Sequence, residues 1–124
     1  AKENALLNNA NVTFLQSDLF NNIDDKFDVI ISNPPYIKTS EINLLQREVK
    51  DFEPLLALDG GNDGLYFYRL IASNCKNYLN GAGVLLLEVG IDQANDVKNL
   101  FIDAKNVEII KDLQGVDRIV KVLF

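Results

Sequence analysis

Residues 26–36 read KFDVIISNPPY, and this stretch decides the fold. The apolar run from Phe27 to Ser32 is rich in β-branched residues, which predicts a strand buried on both faces, as in a parallel sheet. Two prolines follow the run almost at once. Because proline has no backbone N–H, it cannot continue the pairing of a strand. The stretch therefore predicts a buried parallel strand that ends abruptly at Asn33.

Helical and strand patterns alternate along the rest of the chain. The patterns predict further strands at 12–15, 84–89, 107–110 and 118–124, the last two forming an antiparallel ribbon. They predict helices that end at Asn8-Asn9, that cover 41–50, that cover 65–79 and close at Asn80-Gly81, and that cover 92–104 with Asp92 as N-cap. This alternation predicts an α/β layer fold with a mainly parallel sheet and a single domain.

Composition narrows the class of protein. The chain has 124 residues, 48% of them hydrophobic, which is enough for one core, and its net charge of −6 disfavours a nucleic-acid partner. It has no histidine and one cysteine, so an intrachain disulfide and a zinc cluster are excluded; we expect Cys75 to be a small buried apolar residue. No signal peptide or long apolar run is present, which predicts a soluble, cytoplasmic protein with no membrane partner.

The turn after the strand carries groups that could bind a flat nitrogen group. Asn33 offers a carbonyl acceptor, and Pro34 leaves its backbone carbonyl free to face a ligand. Pro35 stiffens the turn, while Tyr36 offers a flat face for stacking. In open α/β sheets ligands bind at this end of the strands. The turn is therefore a candidate receptor for a planar NH₂ group, the alternative being an ordinary strand-ending turn.

The sequence resembles a known family at these positions. Asn33-Pro34-Pro35-Tyr36 is similar to the Asn/Asp/Ser-Pro-Pro-Tyr/Phe signature of amino-methyltransferases with the Rossmann-like fold. Further stretches resemble the release-factor glutamine N5-methyltransferases: EPLLAL at 53–58, GGNDG at 60–64, LEVG at 87–90 with Gln93, and the segment from Asp112 to Arg118. Together these stretches extend the resemblance along the whole chain.

The resemblance implies S-adenosylmethionine as cofactor and a peptide chain release factor as substrate. It implies that Asn33 and the Pro34 carbonyl are the catalytic groups that orient the substrate glutamine amide, with Pro35 and Tyr36 completing the substrate site. Asp18 would accept a hydrogen bond from the adenine amino group, with the Leu19 backbone beside it and Asn33 also near the cofactor.

The front of the family pattern is missing from the sequence. The family carries an acidic Gly-rich loop, an acid for the ribose hydroxyls and an N-terminal helical domain, none of which is found here. We therefore expect residues 1–124 to be the C-terminal portion of one catalytic domain that lacks its first two strands. The strand at 12–15 would then have no neighbour and the strand at 27–32 a bare edge. We also expect this chain alone to bind cofactor poorly, to be inactive, and to be able to form a homodimer through that edge.

Two other functions stay open at this point. The first is an adenine-N6 methyltransferase of DNA or RNA, which would hold the adenine amino group with the same two acceptors. The second is a non-catalytic interaction module with this fold. Among other polar residues, we expect Glu88 to make a structural hydrogen bond and Asp117-Arg118 to form a local ion pair or guide the last strand. We interpret Gly60, Gly61 and Gly64 as turn and helix-start glycines.

Overall fold

The computed structural model describes residues 1–44 and 54–124. The helices are α1 (Lys2–Leu7), α2 (Tyr66–Asn74) and α3 (Ala94–Lys98), and the strands are β1 (Phe27–Ser32), β2 (Leu79–Glu88), β3 (Asn106–Lys111) and β4 (Asp117–Leu123). Short 3₁₀ turns cover Ile42–Leu44, Leu55–Ala57 and Cys75–Tyr78. Helices and strands thus alternate, as the sequence predicts.

The four strands form one sheet in the order β1-β2-β4-β3. β1 pairs with β2 in parallel, while β4 runs antiparallel to both β2 and β3. The predicted antiparallel ribbon is therefore confirmed. The prediction of a mainly parallel sheet is wrong for the described residues, because the short turn between β3 and β4 permits only antiparallel pairing and β4 then lies against β2.

The core lies on one face of the sheet. Leu85 of β2 pairs with Val122 and Leu87 with Val120, and all four side chains are fully buried. Helix α2 contributes Tyr68, Ile71 and the following Cys75 to the same cluster, and α3 contributes Val97. Cys75 is buried as predicted, and burial raises the pKa of its thiol to about 11. A raised pKa keeps the thiol protonated and fits a packing role.

Strand β1 is present as predicted, but it is not buried on both faces. Ile30 packs on the core, whereas Val29 and Ile31, which point the other way, are 50% and 75% exposed. No described element covers that face, and β1 forms one edge of the sheet. The predicted bare edge of this strand is thus confirmed, and the prediction of burial on both sides is wrong.

The predicted strand at 12–15 does not form. The segment has no regular secondary structure and no pairing partner among the described strands, and the apolar side chains of Val12, Phe14 and Leu15 are exposed. A strand needs a neighbour to satisfy its backbone groups, and the sequence already predicts that this one lacks a neighbour. Helix α1 does end where Asn8-Asn9 predicts, with Asn9 at φ 49°.

The helix predicted at 65–79 ends earlier than expected. The helix at 65–79 becomes 3₁₀ at Cys75, and β2 already begins at Leu79, so Asn80-Gly81 lies in the strand and does not close the helix. The pairing shifts from Phe27–Leu79 to Val29–Val84, so the extra residues of β2 bulge out. The chain can therefore enter the sheet directly from the 3₁₀ turn.

The predicted helix at 92–104 is shorter than expected. Asp92 has φ 66° and is not the N-cap of α3; Gln93 takes that position, and the helix covers five residues. For the predicted helix at 41–50, the structure shows the 3₁₀ turn at Ile42–Leu44, and residues 45–50 lie outside the described part. Within residues 1–44 and 54–124, no helix combines the length and apolar character needed to cross a membrane.

Candidate active site

The Asn33–Tyr36 turn leaves the sheet at the carboxyl end of β1. Asn33 is exposed, Pro34 is buried, and Pro35 and Tyr36 are half-buried. None of the hydrogen bonds among described residues uses the Asn33 amide or the Pro34 carbonyl. The Pro34 ring is packed inside the protein, and neither predicted acceptor has a hydrogen-bond partner among the described residues.

The chain beyond the turn is fixed by pairing with residues 58–61. Ile37 donates its backbone N–H to the Leu58 carbonyl at 3.0 Å and accepts from the Gly60 N–H at 2.8 Å. Thr39 adds a backbone bond to Gly61 and a hydroxyl bond of 2.7 Å to the Asp59 carboxylate. Because both arms of the turn are held, one by β1 and one by this bridge, its backbone is constrained at both ends.

Glycines allow other segments to approach Tyr36 closely. A β-carbon at Gly60 would lie 2.7 Å from the Tyr36 Cα, and one at Gly90 would lie 2.9 Å from its ring carbon Cδ2. Gly61 and Gly64 have φ of 86° and 76°, which agrees with their interpretation as turn glycines. The close approach of Gly60 was not predicted, because a glycine in a turn motif gives no sign of what packs against it.

Gln93 joins the turn to the end of β2. Its Nε2 donates to the Tyr36 carbonyl at 3.0 Å, and its Oε1 accepts from the Gly90 N–H at 3.1 Å. The sequence places Gln93 only within a resemblance to a family and gives it no role. Its contact with Tyr36 spans 57 positions, so no local pattern could reveal it.

Tyr68 lies beneath the same region and is fully buried. Its hydroxyl donates to the Glu88 backbone carbonyl at 2.8 Å. Burial, with smaller effects from Tyr36 and Glu88, raises the pKa of the Tyr68 phenol above its ordinary value. The phenol is thus a neutral donor. The expected structural hydrogen bond at Glu88 is formed by its main chain, and no bond of its carboxylate is found among the described residues.

A polar groove of about 530 Å³ lies beside Tyr36 and Gly90. Its charged lining consists of four carboxylates and two cations: Glu41, Asp63, Asp92, Asp96, Lys38 and Arg118. Several of these charges are already paired, Lys38 with Glu41 at 3.6 Å and Arg118 with Asp112 at 3.4 Å. The groove is therefore mildly acidic and hydrogen-bonding in character.

Arg118 and Asp117 do not pair with each other. Asp117 binds Lys111 at 2.7 Å, while Arg118 donates to the Val89 carbonyl at 3.1 Å and contacts Asp112. The Val116 N–H is the main cause that lowers the pKa of the Asp112 carboxyl, with the Gln114 N–H and Arg118 adding to it. Of the two predicted alternatives, the ion pair between Asp117 and Arg118 does not form, because successive residues of a strand point to opposite faces. Arg118 instead ties β4 to the end of β2.

Asp18 and Leu19 lie in a tight turn on the other side of β1. Leu19 has φ 47°, and the Asn22 N–H bonds to the Ser17 hydroxyl at 3.0 Å, which holds the turn. Asp18 and Leu19 line a cavity of about 370 Å³ against α2. Leu19 also lines an apolar cavity of about 340 Å³ that reaches Ser32, the residue before Asn33. The apolar cavity thus extends from Leu19 to the residue before the predicted substrate turn, and residues 33–36 are not part of its described lining.

These cavities have a donor set that fits one part of the expected cofactor. The second cavity is lined almost entirely by apolar side chains, including Phe20 and Ile30, which suits a flat aromatic base. Asp18 is the carboxylate in the described lining and is exposed, so it can accept from an exocyclic amine. Asp18 and the apolar side chains line two neighbouring cavities, and each suits one feature of an adenine ring. Within the residues searched, no cluster of His, Cys, Asp and Glu could hold a metal.

Comparison with known proteins identifies the family. The model of a family described as "Methyltransferase small domain" matches residues 1–62, which is half of the chain. The chain belongs to this methyltransferase family. The α/β methyltransferase fold predicted from the sequence is therefore confirmed, in the partial form that the four-stranded sheet shows.

Curated relatives make the resemblance specific. The methyltransferase chain is 48% identical to a release factor glutamine methyltransferase of Thermodesulfovibrio yellowstonii, over 96% of the chain and 44% of the relative. It is 45% identical to one from Geobacter sulfurreducens, over 97% of the chain and 43% of the relative. The predicted resemblance to release-factor glutamine methyltransferases is confirmed, and the chain spans less than half the length of these relatives.

Solved structures agree with this assignment. A release-factor-specific protein-(glutamine-N5) methyltransferase from Alicyclobacillus acidocaldarius matches with a TM-score of 0.52 and 31% identity, over 79% of this chain and 48% of that one. A methyltransferase from Pyrococcus furiosus matches with a TM-score of 0.67 over 98% of this chain and 54% of that one, at 19% identity. The second likeness supports the fold alone.

Proposed function

We propose that this chain belongs to an enzyme that transfers a methyl group from S-adenosylmethionine to the side-chain amide nitrogen of a glutamine in a peptide chain release factor. The observation that carries the proposal is the Asn33–Tyr36 turn, in which an exposed Asn33 and a Pro34 carbonyl with no hydrogen bond among the described residues follow a strand end. The names of the curated relatives support the substrate. We further propose that residues 1–124 are the C-terminal portion of one catalytic domain; the chain spans less than half the length of these relatives.

In this proposal two oxygens grip the amide group. The Asn33 side-chain oxygen accepts one N–H of the substrate amide, and the Pro34 carbonyl accepts the other. Tyr36 packs on the amide plane, and Pro35 keeps the turn stiff. The turn is held from behind by the bridge between Ile37 and Gly60, so its acceptors need no reorganisation when the substrate binds.

The two hydrogen bonds to the amide would make its nitrogen more reactive. An amide nitrogen is a weak nucleophile because its lone pair is delocalised into the carbonyl. Two acceptors on its hydrogens favour a pyramidal nitrogen and aim the lone pair along the line of attack. S-adenosylmethionine would supply an electrophilic methyl group on a sulfonium. No side chain has to remove a proton first, because the methylated nitrogen can lose it afterwards, which fits a sequence without histidine.

The cofactor would lie on the Leu19 side of β1. Asp18 would accept from the adenine amino group, the Leu19 backbone would lie beside the ring, and Asn33 would border the cofactor where it meets the substrate. The apolar cavity from Leu19 to Ser32 supports this position for the base. The described residues offer little for the rest of the cofactor, so we predict that the 124-residue chain alone binds it weakly and is inactive.

The partner in this proposal is a protein. The net charge of −6 and the acidic groove beside Tyr36 oppose a phosphate backbone, which disfavours DNA or RNA as substrate. A release factor works with ribosomes, so the proposed setting is the cytoplasm. β1 is an edge strand of the described sheet. That the isolated chain forms a homodimer through this edge stays a prediction.

The test compares three substrates. The product of the complete open reading frame is incubated with labelled S-adenosylmethionine and a release factor, the same factor with its reactive glutamine changed to alanine, or adenine-containing oligonucleotides. We expect label only in the unmodified release factor. Label in the oligonucleotides would indicate the adenine-N6 methyltransferase, and no transfer to any substrate would favour the non-catalytic module.

A further inference from the structure

We infer that Gln93 is a positioning residue that sets the orientation of the Asn33–Tyr36 turn. The inference deepens the proposed function and rests on it. Gln93 touches none of the reacting groups in that proposal. Its amide lies between two backbone segments, with Nε2 3.0 Å from the Tyr36 carbonyl and Oε1 3.1 Å from the Gly90 nitrogen.

The orientation of the Gln93 amide is fixed by its partners. A carbonyl can only accept and an N–H can only donate, so Nε2 must face Tyr36 and Oε1 must face Gly90. A flipped amide would place two acceptors together on one side and two donors on the other. The side chain therefore connects the turn to the end of β2 in a single amide orientation. We call this connection, formed by the two hydrogen bonds of Gln93, the strut.

Two glycines make room for this strut. A β-carbon at Gly90 would lie 2.7 Å from the Gln93 Oε1, and one at Gly64 would lie 2.5 Å from its Nε2. Both glycines are buried. The amide is thus enclosed by backbone on both sides, which limits its movement and makes the two hydrogen bonds costly to lose.

The strut acts on the catalytic turn through the main chain. It holds the carbonyl of Tyr36, two residues after Pro34. The prolines restrict rotation between these residues, so a displacement at Tyr36 is transmitted to the Pro34 carbonyl. Loss of the strut should leave binding of a large protein substrate in place but misalign the amide for transfer.

The experiment uses the complete gene product with four variants. Gln93→Ala removes both bonds, and Gln93→Glu keeps the acceptor for Gly90 but places an oxygen against the Tyr36 carbonyl. Gln114→Ala and Gln114→Glu are matched controls, because Gln114 is exposed in the turn between β3 and β4. The kcat and KM for release factor methylation are measured for each, per folded molecule. Hydrogen exchange of the Gly90 amide is measured by NMR on the same samples.

We expect both Gln93 variants to lower kcat about ten- to hundredfold, with KM within about threefold of wild type. The Gln114 variants should match wild type. Exchange at Gly90 should accelerate in Gln93→Ala and remain slow in Gln93→Glu. Folded Gln93 variants with wild-type kcat would overturn the inference, since a purely structural residue would lower only the melting temperature. If Gln93→Ala fails to fold, Gln93→Glu carries the same test.

Failure of the proposed function gives a different result. A wild-type protein that does not methylate the release factor would refute the proposed substrate. The exchange data would then decide on the strut alone, because rapid exchange of the Gly90 amide in the wild-type protein would show that Gln93 does not hold it. Slow exchange in wild type and fast exchange in Gln93→Ala would uphold the strut.

Discussion

Tyr36 and Gly60 are in backbone contact, with the Tyr36 Cα 2.7 Å from the position a β-carbon would take at Gly60. The two nearest further atoms, at 2.8 and 2.9 Å, also belong to the main chain of the turn. No flexible side chain can move aside to make room. Gly60 can therefore pack against the Asn33–Tyr36 turn only because it has no β-carbon.

Replacing Gly60 by alanine should disturb the turn more than its small volume suggests. Because the new methyl meets only backbone, we expect a loss of about 1–3 kcal/mol in the free energy of unfolding. Release factor methylation should fall as well, since the Asn33–Tyr36 turn must shift. Urea unfolding and a methylation assay measure the two effects.

Gly81→Ala provides the matched control for that substitution. A β-carbon at Gly81 would meet nothing within 4 Å. We expect its unfolding free energy to stay within about 0.5 kcal/mol of wild type. Equal losses for both variants would mean that the contact between Gly60 and Tyr36 is not close in solution.

The main architecture follows from local patterns in the sequence. The apolar run at Phe27–Ser32 and the two prolines after it predict β1 and its end, and the Leu85–Leu87 region predicts the central strand. These signals are local, because the chemistry of each residue limits its own backbone. The ribbon of β3 and β4 is equally predictable from two strand patterns around a short turn.

Features set by distant contacts could not be predicted in this way. The burial of a strand depends on what covers it, so the exposure of Val29 and Ile31 could not be predicted from the residues themselves. The strand at 12–15 fails because it lacks a partner. The role of Gln93 and the close approach of Gly60 each depend on Tyr36, which is far away in the sequence. The turn at Asn33–Tyr36 was thus predictable, while the contacts that hold it were not; its role as a substrate site stays a prediction.

Tyr68 should contribute to stability through its hydroxyl. Tyr68→Phe removes the donor to the Glu88 carbonyl, and we expect the free energy of unfolding to fall by about 1–2 kcal/mol. Tyr66→Phe is the control, because Tyr66 is exposed on the same helix. Thermal unfolding monitored by circular dichroism compares the two. A loss in Tyr66→Phe as large as that in Tyr68→Phe would contradict the role of the buried hydroxyl.

The same group predicts an alkaline pH dependence. The pKa of Tyr68 is raised on folding, so the unfolded chain loses its proton first, near the ordinary tyrosine value of about 10. The contribution of Tyr68 to stability is therefore complete below that pH and declines as the pH rises above it. We expect the unfolding free energies of wild type and Tyr68→Phe to converge as the pH rises from about 10 to about 12. A constant difference across this range would contradict the raised pKa.

The ion pair between Asp63 and Arg69 predicts that stability decreases at acidic pH. The Arg69 guanidinium, with the Leu65 N–H, lowers the pKa of the Asp63 carboxyl from 3.8 to about 2. Its contribution to stability is thus present above pH 4 and is lost as the pH falls towards about 2. Arg69→Gln should move the midpoint of the Asp63 carboxyl signal, followed by NMR, back towards 3.8, while Lys98→Gln should leave it in place. An unmoved midpoint in Arg69→Gln would exclude the ion pair.

Asp18 should determine affinity for the cofactor. Asp18→Ala removes the acceptor proposed for the adenine amino group, and we expect the Kd for S-adenosylmethionine to rise about tenfold or more in the complete gene product. Asp25→Ala changes another exposed aspartate of the same loop region and should leave the Kd unchanged. Isothermal titration calorimetry measures both. Equal affinities for wild type and Asp18→Ala would remove Asp18 from the cofactor site.

Methyl transfer by Asn33→Ala is the most direct test of the claim that Asn33 and Pro34 hold the substrate amide. The complete gene product, this variant and Asn77→Ala, an exposed asparagine of the turn after α2, are each incubated with release factor, and methylated glutamine is quantified by tandem mass spectrometry. Loss of an acceptor that acts in the transition state should lower turnover at least about a hundredfold in Asn33→Ala, with an unchanged melting temperature and a normal rate in Asn77→Ala. Turnover by folded Asn33→Ala close to that of wild type would contradict the claim.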